Sequence, residues 1–176
     1  MATIKRIGFG QVEPNHLSAQ RTAQIYAQLP AAASIKILEN GQFVKYDYAN
    51  GEVNTTGKGE WMLVFNEIKL YDVREQATKD FALVKSDFVD GIMTPRVFKT
   101  NVGDIYTTNT FAVGNTSSIA TVATAADLEE GDELTVNASG FLEKNSSASA
   151  GEMVWQVVKI YTLADGQAAA KIMRIK

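Results

Sequence analysis

The chain has 176 residues, with 17 Lys and Arg against 20 Asp and Glu, one His, no Cys and a net charge of −3. Hydrophobic residues make up 45% and charged residues 21%, the balance of an ordinary globular domain, so wholesale disorder is excluded. The lack of Cys excludes a disulfide framework, thiolate metal sites and thiol catalysis, and the acidic balance argues against bulk nucleic-acid binding.

No apolar run approaches the roughly 20 residues of a membrane helix, so no membrane association is expected. The opening Met1-Ala-Thr-Ile-Lys-Arg6 has no apolar h-region, and no secretory signal is expected. Charge is nonetheless uneven. Lys5, Arg6 and Arg21 stand against Glu13 alone in the first 30 residues, whereas the remainder is acidic. Ile4, Ile7, Phe9 and Val12 are spaced among Gly8, Gly10, Pro14 and Asn15, a pattern that suits an extended arm better than a helix. Ser18 to Leu29 has an N-cap and a weak apolar stripe (Ala19, Ala23, Tyr26, Ala27), giving an expected short helix stopped by Pro30. Ala31-Ala32-Ala33 reads as a hinge. Residues 1–33 are therefore taken as an N-terminal arm, and 34–176 as a body with a subdivision near 110–125.

From Ser34 the pattern turns to strands. Residues 35–38 and 43–48 flank Asn40-Gly41 and read as a hairpin, because a type I′ turn needs φ > 0 at both central residues. Asn50-Gly51 repeats the signal. Trp61 to Tyr71 alternates, with Met62, Val64, Ile68 and Leu70 on one face and Trp61, Leu63, Phe65 and Tyr71 on the other; Asn66 is the exception. Asp72-Val-Arg-Glu75 fits a capping box for a helix over 73–82.

Phe81–Val84, Arg96–Lys99 and Asp104–Thr108 follow as candidate strands, and Thr124-Ala-Ala-Asp127 as a second capping box with one helical turn. Glu133–Asn137 turns at Ser139-Gly140 and returns through Phe141–Glu143. Met153–Leu163 and 167–175 form a hairpin about Ala164-Asp165-Gly166, with Val154, Val158 and Ile160 assigned to one face and Trp155, Val157, Tyr161 and Leu163 to the other. Strands apolar on both faces are buried on both, which points to a mainly β fold. The expected architecture is a β-sandwich or barrel-like body with an extended N-terminal arm and one or two short helices.

Catalytic patterns are weak. His16 lies in the arm, a poor place for the oriented base of a triad. The acidic run Asp127, Glu129, Glu130, Asp132 and Glu133 lacks the spacing of a calcium loop and reads as a solvated turn. Asn54-Thr-Thr-Gly-Lys58-Gly resembles a phosphate loop, but Lys58 leads into a strand rather than a helix. Asn-x-Ser/Thr triplets at Asn54, Asn115, Asn137 and Asn145 matter only in a secreted protein. Tyr46, Tyr48, Trp61, Phe65 and Tyr71 fit core packing better than a sugar or nucleic-acid platform. No cofactor, metal or enzymatic activity is expected.

The basic arm Ala2-Thr-Ile-Lys-Arg-Ile-Gly-Phe-Gly10, the Ser/Thr/Ala/Gly-rich body and segments such as Val102-Gly-Asp-Ile-Tyr-Thr107 and Glu130-Gly-Asp-Glu-Leu-Thr-Val136 resemble tailed-bacteriophage virion proteins. The resemblance is greatest to the capsid decoration, or cement, class. It implies a structural protein on the virion's capsid surface that binds major capsid protein subunits, performs no chemistry and forms a homo-oligomer, with a trimer favoured. The arm residues Ile4, Lys5, Arg6, Ile7, Phe9, Val12 and Arg21 are the expected partner contacts, since the apolar ones cannot form a core of their own. A tail-tube or other virion assembly subunit and a carbohydrate-binding β module are the alternatives.

Overall fold

A computed structural model describes residues 2–5, 8–16, 25–26, 29–66, 81–112, 125–145 and 151–176. Strands are numbered in chain order. One antiparallel sheet of six strands runs, edge to edge, β13 (Leu142–Lys144), β12 (Glu133–Val136), β14 (Val154–Thr162), β15 (Ala168–Arg174), β10 (Ile105–Thr108) and β2 (Val12–His16). A second, of five strands, runs β3 (Ile25–Tyr26), β9 (Val97–Phe98), β7 (Trp61–Val64), β5 (Phe43–Asp47) and β6 (Glu52–Asn54). Two ribbons complete the described fold: β1 (Ala2–Lys5) with β11 (Ala125–Leu128), and β4 (Ile37–Glu39) with β8 (Ala82–Val84). The mainly β architecture expected from the sequence is what the chain forms.

The five-stranded sheet separates two cores. Neighbouring residues in a strand point to opposite faces, so Phe43 and Leu63 enter one core while Val44, Met62 and Val64 enter the other. The first core lies between the large sheets. Trp155 sits at its centre, 6.0 Å from Phe43 and edge-on to Tyr106 at 5.1 Å. The second core joins Val44, Val53, Met62, Val64 and Val97 to Leu38 and Met93, with Leu83 and Phe88 packed against it. The two-faced pattern read from Trp61 onward is thus a strand wedged between two cores.

Several local expectations are overturned. Asn40-Gly41 does make a turn: the Gln42 N–H donates to the Glu39 carbonyl at 3.2 Å, and Gly41 has φ of 90°. Its flanking strands nevertheless part, β4 pairing with β8 and β5 with β6 and β7. Asn50-Gly51 closes a true hairpin between β5 and β6. β7 ends at Val64 because Asn66 turns inward to exchange hydrogen bonds with Asn40. In β14 the register shifts between Val157 and Lys159, a bulge that leaves Val158 exposed and brings Trp155, Val157 and Ile160 onto the core face. The strict alternation assigned to that strand fails there.

Residues 125–128 form a strand paired with β1 and not a helical turn. The expected helix through Leu29 does not form at its described end, since Ile25–Tyr26 pairs with β9; residues 18–24 lie outside the described residues. Of the helix expected over 73–82, residues 73–80 lie outside them too, and Ala82 opens β8. The hinge is instead a bonded strap: the Ala31 N–H donates to Met93, Ala32 to Val53, and Val53 back to Pro30. The subdivision near 110–125 falls largely outside the described residues.

Candidate functional site

The arm is extended, and its described strands pair within this chain. β2 is the outer strand of the six-stranded sheet, and Val12 is 6% exposed in the first core. A buried polar seam fixes its entry. The Gly10 N–H donates to Glu39 Oε2 at 2.9 Å, the Gln11 N–H to Asn109 Oδ1 at 2.9 Å, and Thr108 Oγ1 to the Gln11 carbonyl at 2.7 Å. Thr110 Oγ1 donates to the Asn40 carbonyl, and Gln11 Nε2 to Asp165 Oδ2 at 2.7 Å. Burial opposes ionisation of Asp165, but the Gln11 amide and the Gln167 N–H outweigh it and hold the carboxyl below its ordinary value. Gly10 is required at the tightest point, where a Cβ would run into the Asn40 carbonyl and the Thr110 hydroxyl.

Among the sequence-selected contacts, Val12 is therefore used inside the body, Phe9 is half-buried, and Ile4 and Lys5 lie on β1, opposite Ala126 and Ala125. Arg6, Ile7 and Arg21 lie outside the described residues. His16 closes β2 opposite Ile105. Asp132, in the acidic run, accepts from the Glu129 N–H at 2.8 Å and pairs with Lys144 at 2.7 Å, so it holds a turn. Asn54 Oδ1 accepts from Thr56 and Gly57, making the phosphate-loop look-alike an Asn-closed turn.

Two other features carry surface chemistry. The first is a cleft of about 360 Å³ at one end of the sandwich, floored by Trp61, Val136 and Met153. Lys45, Arg174 and Lys176 line it together with Glu60 and Glu152. Lys45 Nζ stands over the Trp61 ring at 4.4 Å, and Glu60 is held by Lys99 at 3.1 Å. Arg174 donates to the Thr100 carbonyl and hydroxyl, and its Nε to the Lys176 carbonyl at 3.0 Å. Burial draws its guanidinium below the ordinary value, with Glu60 and Asp104 pulling back.

The second is a set of three turns with apolar side chains in water, each fixed by an Asp. Asp47 Oδ1 accepts from the Ala49 and Asn50 N–H groups beside Tyr48, which is 65% exposed. Asp90 Oδ1 accepts from the Ile92 N–H at 2.9 Å, in a tip that also carries the fully exposed Val89. Asp104 Oδ2 accepts from the Asn101 N–H at 2.8 Å, bracketing the exposed Val102.

The chain matches no protein-family model, no curated protein and no solved structure. What the surface does must be read from its own geometry. Sequence reasoning passed over the 85–92 tip, although Val89-Asp90-Gly91-Ile92 places a turn signal between two aliphatics. It had no means of finding the cleft, whose walls come from residues 45, 59–61, 135–136, 151–153, 174 and 176.

Proposed function

We propose that this chain is a structural virion protein that binds and stabilises a bacteriophage capsid, contacting major capsid subunits through its β body and the outward side of its N-terminal arm. The observation that carries the reading is the pair of Asp-fixed turns bearing Tyr48 and Val102. Large apolar side chains held in water on hydrogen-bonded turns lose little entropy when a partner covers them, which is how a rigid module gains affinity. Bonded neighbours along one edge of each large sheet, at β6 and β13, favour this reading over a tail-tube subunit that assembles through inter-subunit sheets. The strap at Pro30–Ala32 bonds to β6, and Ala112 donates to the Leu142 carbonyl at the margin of β13. Lys45 already occupies one face of Trp61, which disfavours a sugar platform there.

Purified protein titrated onto isolated heads that lack it should bind saturably, at a fixed ratio to capsid subunits, and raise their resistance to heat. Absence of binding, with tubes forming from the protein alone, would replace this reading with the tail-tube one.

A further inference from the structure

The tip at 85–92 and the cleft at Trp61 are complementary in charge and polarity, and they belong to the same chain. The tip is rigid. The Phe88 N–H donates to the Lys85 carbonyl at 3.3 Å, Gly91 to Phe88 at 3.0 Å, and the Phe88 ring packs against the second core. Lys85 Nζ is drawn to the Ala33 carbonyl at 3.1 Å. The exposed crown is therefore Val89 and Ile92 flanked by the carboxylates of Asp87 and Asp90. The cleft offers the reverse: an apolar floor of Trp61, Val136 and Met153 with Lys45, Arg174 and Lys176 at its walls. One of its two carboxylates, Glu60, is already paired with Lys99. Three cations against two carboxylates leave the lining with one net positive charge, on a chain whose net charge is −3.

We infer that the Val89–Ile92 tip of one copy docks in the Trp61 cleft of a second copy. This rests on the self-association expected of a decoration protein, and it names the surfaces that make it. Phe88 belongs to the second core and Met153 to the first, so tip and cleft lie on opposite sides of the five-stranded sheet. A tip cannot fill its own cleft, and the contact joins two different patches. Such a head-to-tail contact closes into a ring or extends as a chain, unless both tips and both clefts engage reciprocally about a two-fold axis. The cleft, of about 360 Å³, has room for the two aliphatic side chains of the tip. A single tip covers less than the roughly 1,200 Å² of a standard stable interface, so the association is concentration-dependent.

The test uses the full chain and two variants, with sedimentation velocity from micromolar to millimolar concentration. Val89→Ser with Ile92→Ser removes the tip and leaves the cleft; Lys45→Glu with Lys176→Glu reverses the cleft and leaves the tip. All four positions are at the surface or half-buried, and unchanged melting of each variant verifies the fold. The wild type should associate, and each variant alone should do so at least tenfold more weakly. An equimolar mixture of the two should recover one contact, giving dimers that grow no further. A wild type that stays monomeric throughout overturns self-association as well as this interface, whatever its binding to heads. An associating wild type whose variants behave alike, or a mixture that fails to dimerise, overturns the interface alone.

Discussion

Replacing Gly10 by Ala tests how the arm is locked to the body. A methyl group there meets the backbone carbonyl of Asn40 and the side chain of Thr110, neither of which can step aside without breaking the bond between them. The arm must lift, loosening the Gly10 N–H bond to the buried Glu39 carboxylate. A hydrogen bond to a charged group contributes about 1.5–3 kcal/mol and a neutral one about 1 kcal/mol. Against this, Ala stiffens the unfolded chain and returns about 0.4–1 kcal/mol. The net loss is about 2.5 kcal/mol, a large share of a domain's ~5–15 kcal/mol. In urea, with a slope of about 2–3 kcal/mol per molar, the midpoint should fall by roughly 1 M.

Gly51→Ala is the control. Its φ of 64° strains any side chain, but none of the described residues lies within 4 Å of the added Cβ. It should cost only about 1 kcal/mol. A Gly10→Ala midpoint within error of wild type, or one no lower than that of Gly51→Ala, would refute the locking of the arm.

Other consequences are as direct. Among the described residues the fully buried Tyr106 hydroxyl finds no hydrogen-bond partner, and burial pushes its pKa well above 10.0. Tyr106→Phe should therefore leave stability unchanged or raise it by up to about 1–2 kcal/mol by melting, since no bond is lost and a desolvated group is removed. The carboxyls of Asp132 and Asp165 are held below the ordinary 3.8. Their contribution is complete above that value and disappears as pH falls through the lowered pKa values. Melting temperatures followed from pH ~6 to ~2 should drop below about pH 4, with Asp165→Asn showing a shallower drop. A variant curve parallel to wild type would remove Asp165 from that account.

What the sequence made legible were features decided locally. Asn50-Gly51 closes its hairpin with help from Asp47 three residues away, and the turn at Ala164–Gly166 is fixed by Asp165 and Gln167. Asn40-Gly41 has the same dipeptide and a different outcome because its neighbours bond far along the chain. Glu39 reaches Gly10, Asn40 reaches Asn66, and Gln42 reaches the Ser139 carbonyl. Such partners, tens of residues distant, override the hairpin and send β4 and β5 into different sheets.

The bulge at Val158 is hidden for a similar reason, since it answers to the register of β15 and not to β14's own pattern. The expected helical turn gives way at residues 125–127 to pairing with β1, whose Ala2–Lys5 backbone supplies a ladder. The arm's spaced apolar residues were legible as needing burial. That Val12 finds it beside β10, in the first core and within the same chain, was not.

The central claim is tested most directly by a cryo-electron microscopy map of the particle produced where this chain is encoded. The account predicts density for its two-sheet body on the outer surface of the capsid shell, with the Tyr48 and Val102 turns set against major capsid subunits. Density for this fold within a tail tube, or a virion that lacks it altogether, would contradict the proposal.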